Sequence, residues 1–203
     1  MSRIPKARQQ VLDAAERVVC ERGAAALTFD EVAAESGVTR GGITYHFPTK
    51  DDLLRALVER DRQRWEQSIA EHRCVEACPA TGDLVAYIRS ATEHQVKHRR
   101  FVAGMLSAVA HDPGLLDGCR DFYRKQIGGA VWDDAALRRL TLRMAADGLF
   151  WMETFDFVDL PARARKRWVA LLETLAREWA APSIAQPRIR KTKTAAVGKG
   201  SKR

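Results

Sequence analysis

Between residues 28 and 50 the chain is punctuated more tightly than anywhere else, and this stretch limits what it can fold into. Thr28 is followed three residues later by Glu31, a capping-box pair that starts a helix, while Leu27 and Val32 take the two positions of a hydrophobic staple. Gly37 supplies the left-handed residue that commonly ends a helix, Val38 turns inward, and Thr39 caps the next helix. That helix runs from Arg40 to Phe47, where Pro48 breaks it. Thr49 then caps a longer helix whose Asp51 and Asp52 favour its positive end. Two short helices joined by a glycine turn have the layout of a helix-turn-helix. Gly41 and Gly42 each cost about 0.8 to 1 kcal/mol against alanine, so neighbours must hold the second helix through Val38, Ile43 and Phe47.

The rest of the chain reads as helices. From Pro5 the apolar residues Val11, Leu12, Ala15, Val18 and Val19 recur at helical spacing up to Gly23. Beyond Thr49 the pattern continues through Leu54, Leu57, Val58, Trp65 and Ile69, then in segments 83–97, 101–111, 115–129, 134–156 and 161–180. The expected fold is all-α with about nine helices: a three-helix head over 1–50 and a helical body over 51–182. Residues 183–203 have too few large apolar side chains to form a core and are expected to be a disordered basic tail.

Charge alone does not identify a nucleic-acid binder. Of the formal +8, seven basic residues lie after residue 180 with no acid among them, leaving +1 for everything before. Specificity must therefore come from the head. There, Arg40, Thr44, Tyr45 and His46 sit on a short helix that needs few of them for packing. His46 is better explained by packing than by reading a base, and Tyr45 has a packing alternative against the first or fourth helix. Arg3, Lys6 and Arg8 suit either an arm over the minor groove or a solvated basic terminus.

The segment LTFDEVAAESGVTRGGITYHFPTKDDLL, with VLDAAERVVCERG before it, resembles the N-terminal domain of the TetR family of bacterial transcriptional regulators. The resemblance covers roughly the first 55 residues. It implies that Thr28 binds phosphate, that Arg40, Gly41 and Thr44 face base edges, and that Gly42, Tyr45 and Lys50 contact the backbone; Thr39 and His46 complete the expected DNA-binding set. Thr44 stands where the family usually has a second aromatic, and Gly42 lacks the side chain often found there. Independently, Lys50 in a first helical turn suits a phosphate, and Arg40 can form a bidentate contact with guanine.

The resemblance also implies a ligand cavity and a dimer interface in the body. Trp65, Tyr87, His94, Met105, Phe122 and Trp151 are the pocket candidates, although such a stripe is more often core. Ala145, Gly148, Met152, Trp168, Leu172 and Trp179 are the interface candidates, with packing inside one subunit as the alternative. The pairs Cys74/Cys78 and His94/His98, the latter beside Glu93, have ligand-like spacing but no completing set, so no metal and no cofactor are expected. No glycine-rich phosphate loop, GxSxG or HExxH motif is present, which argues against an enzyme. No apolar run approaches the roughly 20 residues of a membrane span, and the four cysteines read as reduced thiols, so a cytoplasmic location is expected. The expected partners are double-stranded DNA with a palindromic operator, a small-molecule effector and a second copy of the chain. The alternative is an architectural protein that coats DNA through its tail.

Overall fold

The computed structural model describes residues 3–73, 76, 78–93, 96–127 and 132–180; the side chains of 3–5 and 180 are not described. Within these residues there are nine α-helices and no strands. The head contains α1 (Arg3–Arg22), α2 (Phe29–Ser36) and α3 (Arg40–His46). The body contains α4 (Lys50–Glu71), α5 (Pro79–Thr92), α6 (Val96–His111), α7 (Asp117–Ile127), α8 (Asp134–Thr154) and α9 (Ala162–Ala180). One-turn 3-10 segments at Ala24–Ala26 and Pro113–Leu116 supplement them.

Local chemistry sets the helix ends. The Thr28 hydroxyl accepts from the Glu31 amide, and Gly37 ends α2 at φ 69°. The expected reciprocal box at Thr28 is only half made, because the Glu31 carboxylate takes Arg22 Nη2 at 2.7 Å instead. The full box forms at Thr49, where Asp52 returns a bond to the Thr49 backbone amide. Helix α5 begins earlier than its apolar periodicity suggests, because Pro79 is compatible with a first turn. Helix α1 is already helical at Arg3, so Lys6 and Arg8 lie on a helix rather than an extended arm. The tail and Cys74 and His94 fall outside the described residues.

Two apolar cores position everything else. The first joins Val11, Val18, Leu27, Val32, Ile43 and Phe47 of the head to Leu53 and Leu57 of α4 and to Phe101 and Met105 of α6. Helix α4 starts at Lys50, and its Leu53 and Leu57 pack into the same core as the head residues, so the head is fixed to the body by shared packing. The second core surrounds α5, which is buried along most of its length by α4, α8 and α9. Helices α1 and α6 cross so closely that a Cβ on Gly104 would lie 2.3 Å from the Val19 carbonyl oxygen.

A polar hub crosses the same junction. Glu16, on α1, is buried and faces three cations: Arg60 and Arg64 from α4 and Lys97 from α6. Arg64 Nη1 lies 2.8 Å and Lys97 Nζ 3.0 Å from the carboxylate, while Arg60 also donates to Asp13 and to the Leu12 carbonyl. Burial pushes the Glu16 carboxyl upward, but the Lys97 and Arg64 hydrogen bonds and the charge of Arg60 outweigh it and hold the group below its ordinary value.

Candidate nucleic-acid interface and body cavity

Helix α3 is anchored by one face and open on the other. Ile43 and the following Phe47 are fully buried, and the Thr39 hydroxyl caps the helix by accepting from the Gly42 amide. Opposite them Tyr45 is 73% exposed, and its ring packs on nothing larger than the edge of His46. A large aromatic held in water on a short helix is available to a partner. His46 is half-buried between the Tyr45 and Phe47 rings, which favours its packing role.

The two glycines differ. A Cβ at Gly42 would lie 2.9 Å from Val38 Cγ1, so a side chain there would force Val38 or the turn to shift. At Gly41 nothing comes within 4 Å, leaving bare backbone on the exposed face. Thr44 directs its hydroxyl back to the Gly41 carbonyl at 3.2 Å. Arg40 donates to Asp30 at 2.6 Å and covers the Phe29 ring at 5.9 Å. Lys50 Nζ rests 3.4 Å from the Ala25 carbonyl, and Arg8 lies over the Phe47 ring at 5.2 Å. Thr28, Thr39, Arg40, Gly41, Tyr45 and Lys50 are all exposed, while Gly42 and Thr44 are half-buried. Sequence reasoning missed the Asp30–Arg40 pairing, because no spacing rule links a first-turn acid on one helix to a first-turn base on the next.

In the body, Trp65, Met105, Phe122 and Trp151 line one cavity of about 330 Å³ between α4, α6, α7 and α8. Tyr87 does not: it is 1% exposed, stacks edge-on against Trp65 at 5.5 Å and donates to both Asp147 oxygens at 2.7 and 2.9 Å. The cavity adds residues that the sequence pattern did not single out, chiefly Asp61, His98, Tyr123, Asp147 and Phe150. Asp147 had a legible signal, being an acid in the stretch Ala145, Ala146, Gly148 and Leu149 that is otherwise small or apolar. Burial pushes its carboxyl upward, against the Tyr87 hydrogen bond and the Arg143 charge. Arg143 lies over the Tyr87 ring at 4.3 Å, with its Nη1 buried and without a hydrogen-bond partner.

The interface candidates divide. Leu172 is buried within its own subunit, and Trp168, Trp179 and Ala145 pack half-buried against the same core. Met152 is 48% exposed, and a side chain at Gly148 would meet open space. With Met144, Phe155 and Leu171 also exposed, α8 and α9 carry apolar area that the subunit itself does not cover. Among the described residues no group of three His, Cys, Asp or Glu side chains is placed to hold a metal. His98 instead faces Asp61 at 3.0 Å, and Glu93 faces His72 at 2.8 Å. No helix among the described residues is long and apolar enough to cross a membrane.

Residues 11–57 match the N-terminal domain of bacterial regulatory proteins of the tetR family, and residues 83–177 match a tetracyclin repressor-like C-terminal domain. The regulator TtgR of Pseudomonas putida is 44% identical over 52 residues, 26% of this chain and 25% of that protein. The repressor AcnR of Corynebacterium diphtheriae is 35% identical over 138 residues, 66% of this chain and 63% of that protein. The matches thus span a quarter of the length of the first relative and under two thirds of the second. A solved transcriptional regulator from Saccharomonospora viridis, in complex with choline, superposes with a TM-score of 0.63 at 20% identity, covering 84% of this chain and 95% of that one. With its head and body each matched in the same order as their helices, the chain belongs to the tetR family of bacterial regulatory proteins.

Proposed function

We propose that the chain is a transcriptional repressor that binds a palindromic operator as a homodimer and releases it when a small molecule fills the body cavity. The observation that carries this reading is the exposed face of α3, where Arg40, bare Gly41 backbone and Tyr45 stand out beside Thr28 and Lys50. Arg40 supplies the donors for a guanine edge, with Thr44 beside it. Thr28, Thr39, Gly42, Tyr45 and Lys50 take the phosphate side, which sets register rather than sequence.

A helix of this kind reads few base pairs, so a second copy about one turn of DNA away supplies the rest of the specificity. Gly148, Met152 and the neighbouring exposed apolar residues support pairing through α8 and α9. The cavity adjoins α6, which also packs on α1, and this supports coupling between ligand and head. A hundredfold preference of the ligand for the released state corresponds to about 2.7 kcal/mol.

Selection of genomic fragments by the full chain tests the reading. An inverted repeat shared by the bound fragments is expected, and its mutation should abolish retention. Equal binding of scrambled DNA would instead indicate general coating of DNA by the basic tail.

A further inference from the structure

The effector's chemical class can be read from the cavity wall. The wall is aromatic on several sides, with Trp65 from α4, Phe122 and Tyr123 from α7, and Phe150 and Trp151 from α8. Into this apolar surface two carboxylates open, Asp61 from α4 and Asp147 from α8. The cationic side chain among the lining residues is Arg62, and its guanidinium is already committed to Glu59 at 2.6 Å and to Glu66. Arg143 approaches Asp147 through space but does not line the cavity, and His98 lies 3.0 Å from Asp61. Two carboxylates thus line the cavity, and the guanidinium that lines it beside them is already held by glutamates.

We propose that the cavity takes an organic cation with a compact apolar body, its charge lying against Asp147 and Asp61 and its body against the aromatic wall. This deepens the effector reading above and rests on it. Ring faces attract a cation through their quadrupole, and the attraction grows when water is excluded. A neutral apolar guest would deepen the burial of both carboxylates and bring no charge to offset it. An anion would meet the same two carboxylates, with Arg62 already occupied. Burial disfavours the charged Asp147 carboxylate, and a cation beside it would offset that penalty.

The test uses two probes of nearly equal shape, (4-hydroxyphenyl)trimethylammonium and neutral 4-tert-butylphenol, titrated by calorimetry into the full chain. The cation is expected to bind at least about tenfold more tightly. Asp147→Asn should remove most of that preference and Asp61→Asn part of it, with the phenol's affinity nearly unchanged in both. Asp117→Asn, an exposed acid on α7 paired with Arg120 outside the cavity, controls for net charge and should change neither. Thermal melts identify any variant that fails to fold, and for such a variant the ratio of the two probes on wild type still decides.

Equal binding of both probes, or binding of neither, overturns the proposal. Equal binding leaves the effector cavity itself standing. A clear preference for the cation that survives in both Asn variants also overturns the assignment of the two carboxylates. If the cation binds with the expected dependence yet leaves DNA bound, the ligand class stands and the repressor reading fails.

Discussion

Asp30 and Arg40 bridge the two helices of the turn, with carboxylate and guanidinium 2.6 Å apart and both largely exposed. The pair holds the arginine across α2 and α3 before any DNA arrives, at little net cost because exposed ion pairs are weak. A guanine edge can replace the carboxylate. Arg40→Ala should therefore weaken specific binding by about 1 to 3 kcal/mol, whereas Asp30→Asn, which removes a negative charge beside the phosphates, should tighten it at low salt. Fluorescence anisotropy with a selected fragment and its scrambled counterpart measures both. Unchanged affinity in Arg40→Ala would reject this arginine as the reading residue.

The adjacent glycines in α3 should respond oppositely to alanine. At Gly41 a methyl meets nothing, and the helix gains about 0.8 to 1 kcal/mol of propensity, or roughly 2 to 4 °C in melting temperature for a chain of this size. At Gly42 it meets Val38 Cγ1 at 2.9 Å, and the stiff β-branched side chain cannot step aside without shifting the turn. Thermal melts should show Gly41→Ala stabilised and Gly42→Ala not. A stabilised Gly42→Ala would mean the turn has room to spare.

Replacing Glu16 by glutamine should destabilise the fold by about 3 kcal/mol, because buried Arg60 would lose its buried counter-charge and keep only the half-exposed Asp13 and the Leu12 carbonyl. The pH dependence has a definite sign. The folded carboxyl titrates below its unfolded value, so its contribution is complete above the unfolded value of about 4.3 and is lost as pH falls through the lower folded one. Urea unfolding of wild type and Glu16→Gln should give a constant difference from pH 7 to about 5, narrowing below about pH 4. A difference that widens on acidification would contradict the hub.

Gly148→Arg should fold as well as wild type, since the position opens to solvent in one subunit, yet separate two copies if α8 forms the interface. Light scattering should then report a monomer in place of a dimer, with operator affinity falling alongside. A wild-type chain that is itself monomeric on DNA would overturn the homodimer.

The head was legible because its ends are written in local chemistry: Thr28, Gly37, Thr39 and Thr49 each cap or close a helix where the sequence places them. Family resemblance supplied the expected contact positions, and geometry ties Arg40 to Asp30 and leaves Tyr45 exposed. In the body, apolar periodicity found the helices but not which side of each faces a cavity. Tyr87 and Leu172 have the composition of pocket and interface residues, yet three-dimensional packing buries both in the subunit core. Asp61 and Asp147 come from helices far apart in the chain, and their convergence on one wall follows only from the fold.

Helix α6 turns Val102, Met105, Leu106 and Val109 toward the cavity and Gly104 toward the Val19 carbonyl. Where backbone rests on backbone, there is no intervening side chain to absorb a displacement. Head and body are therefore not interchangeable modules: a chimera that grafts another head onto this body inherits the fit at residue 104 or loses the fold. Protein engineers seeking new operator specificity here should redesign the surface of α3 and leave α1 as it stands.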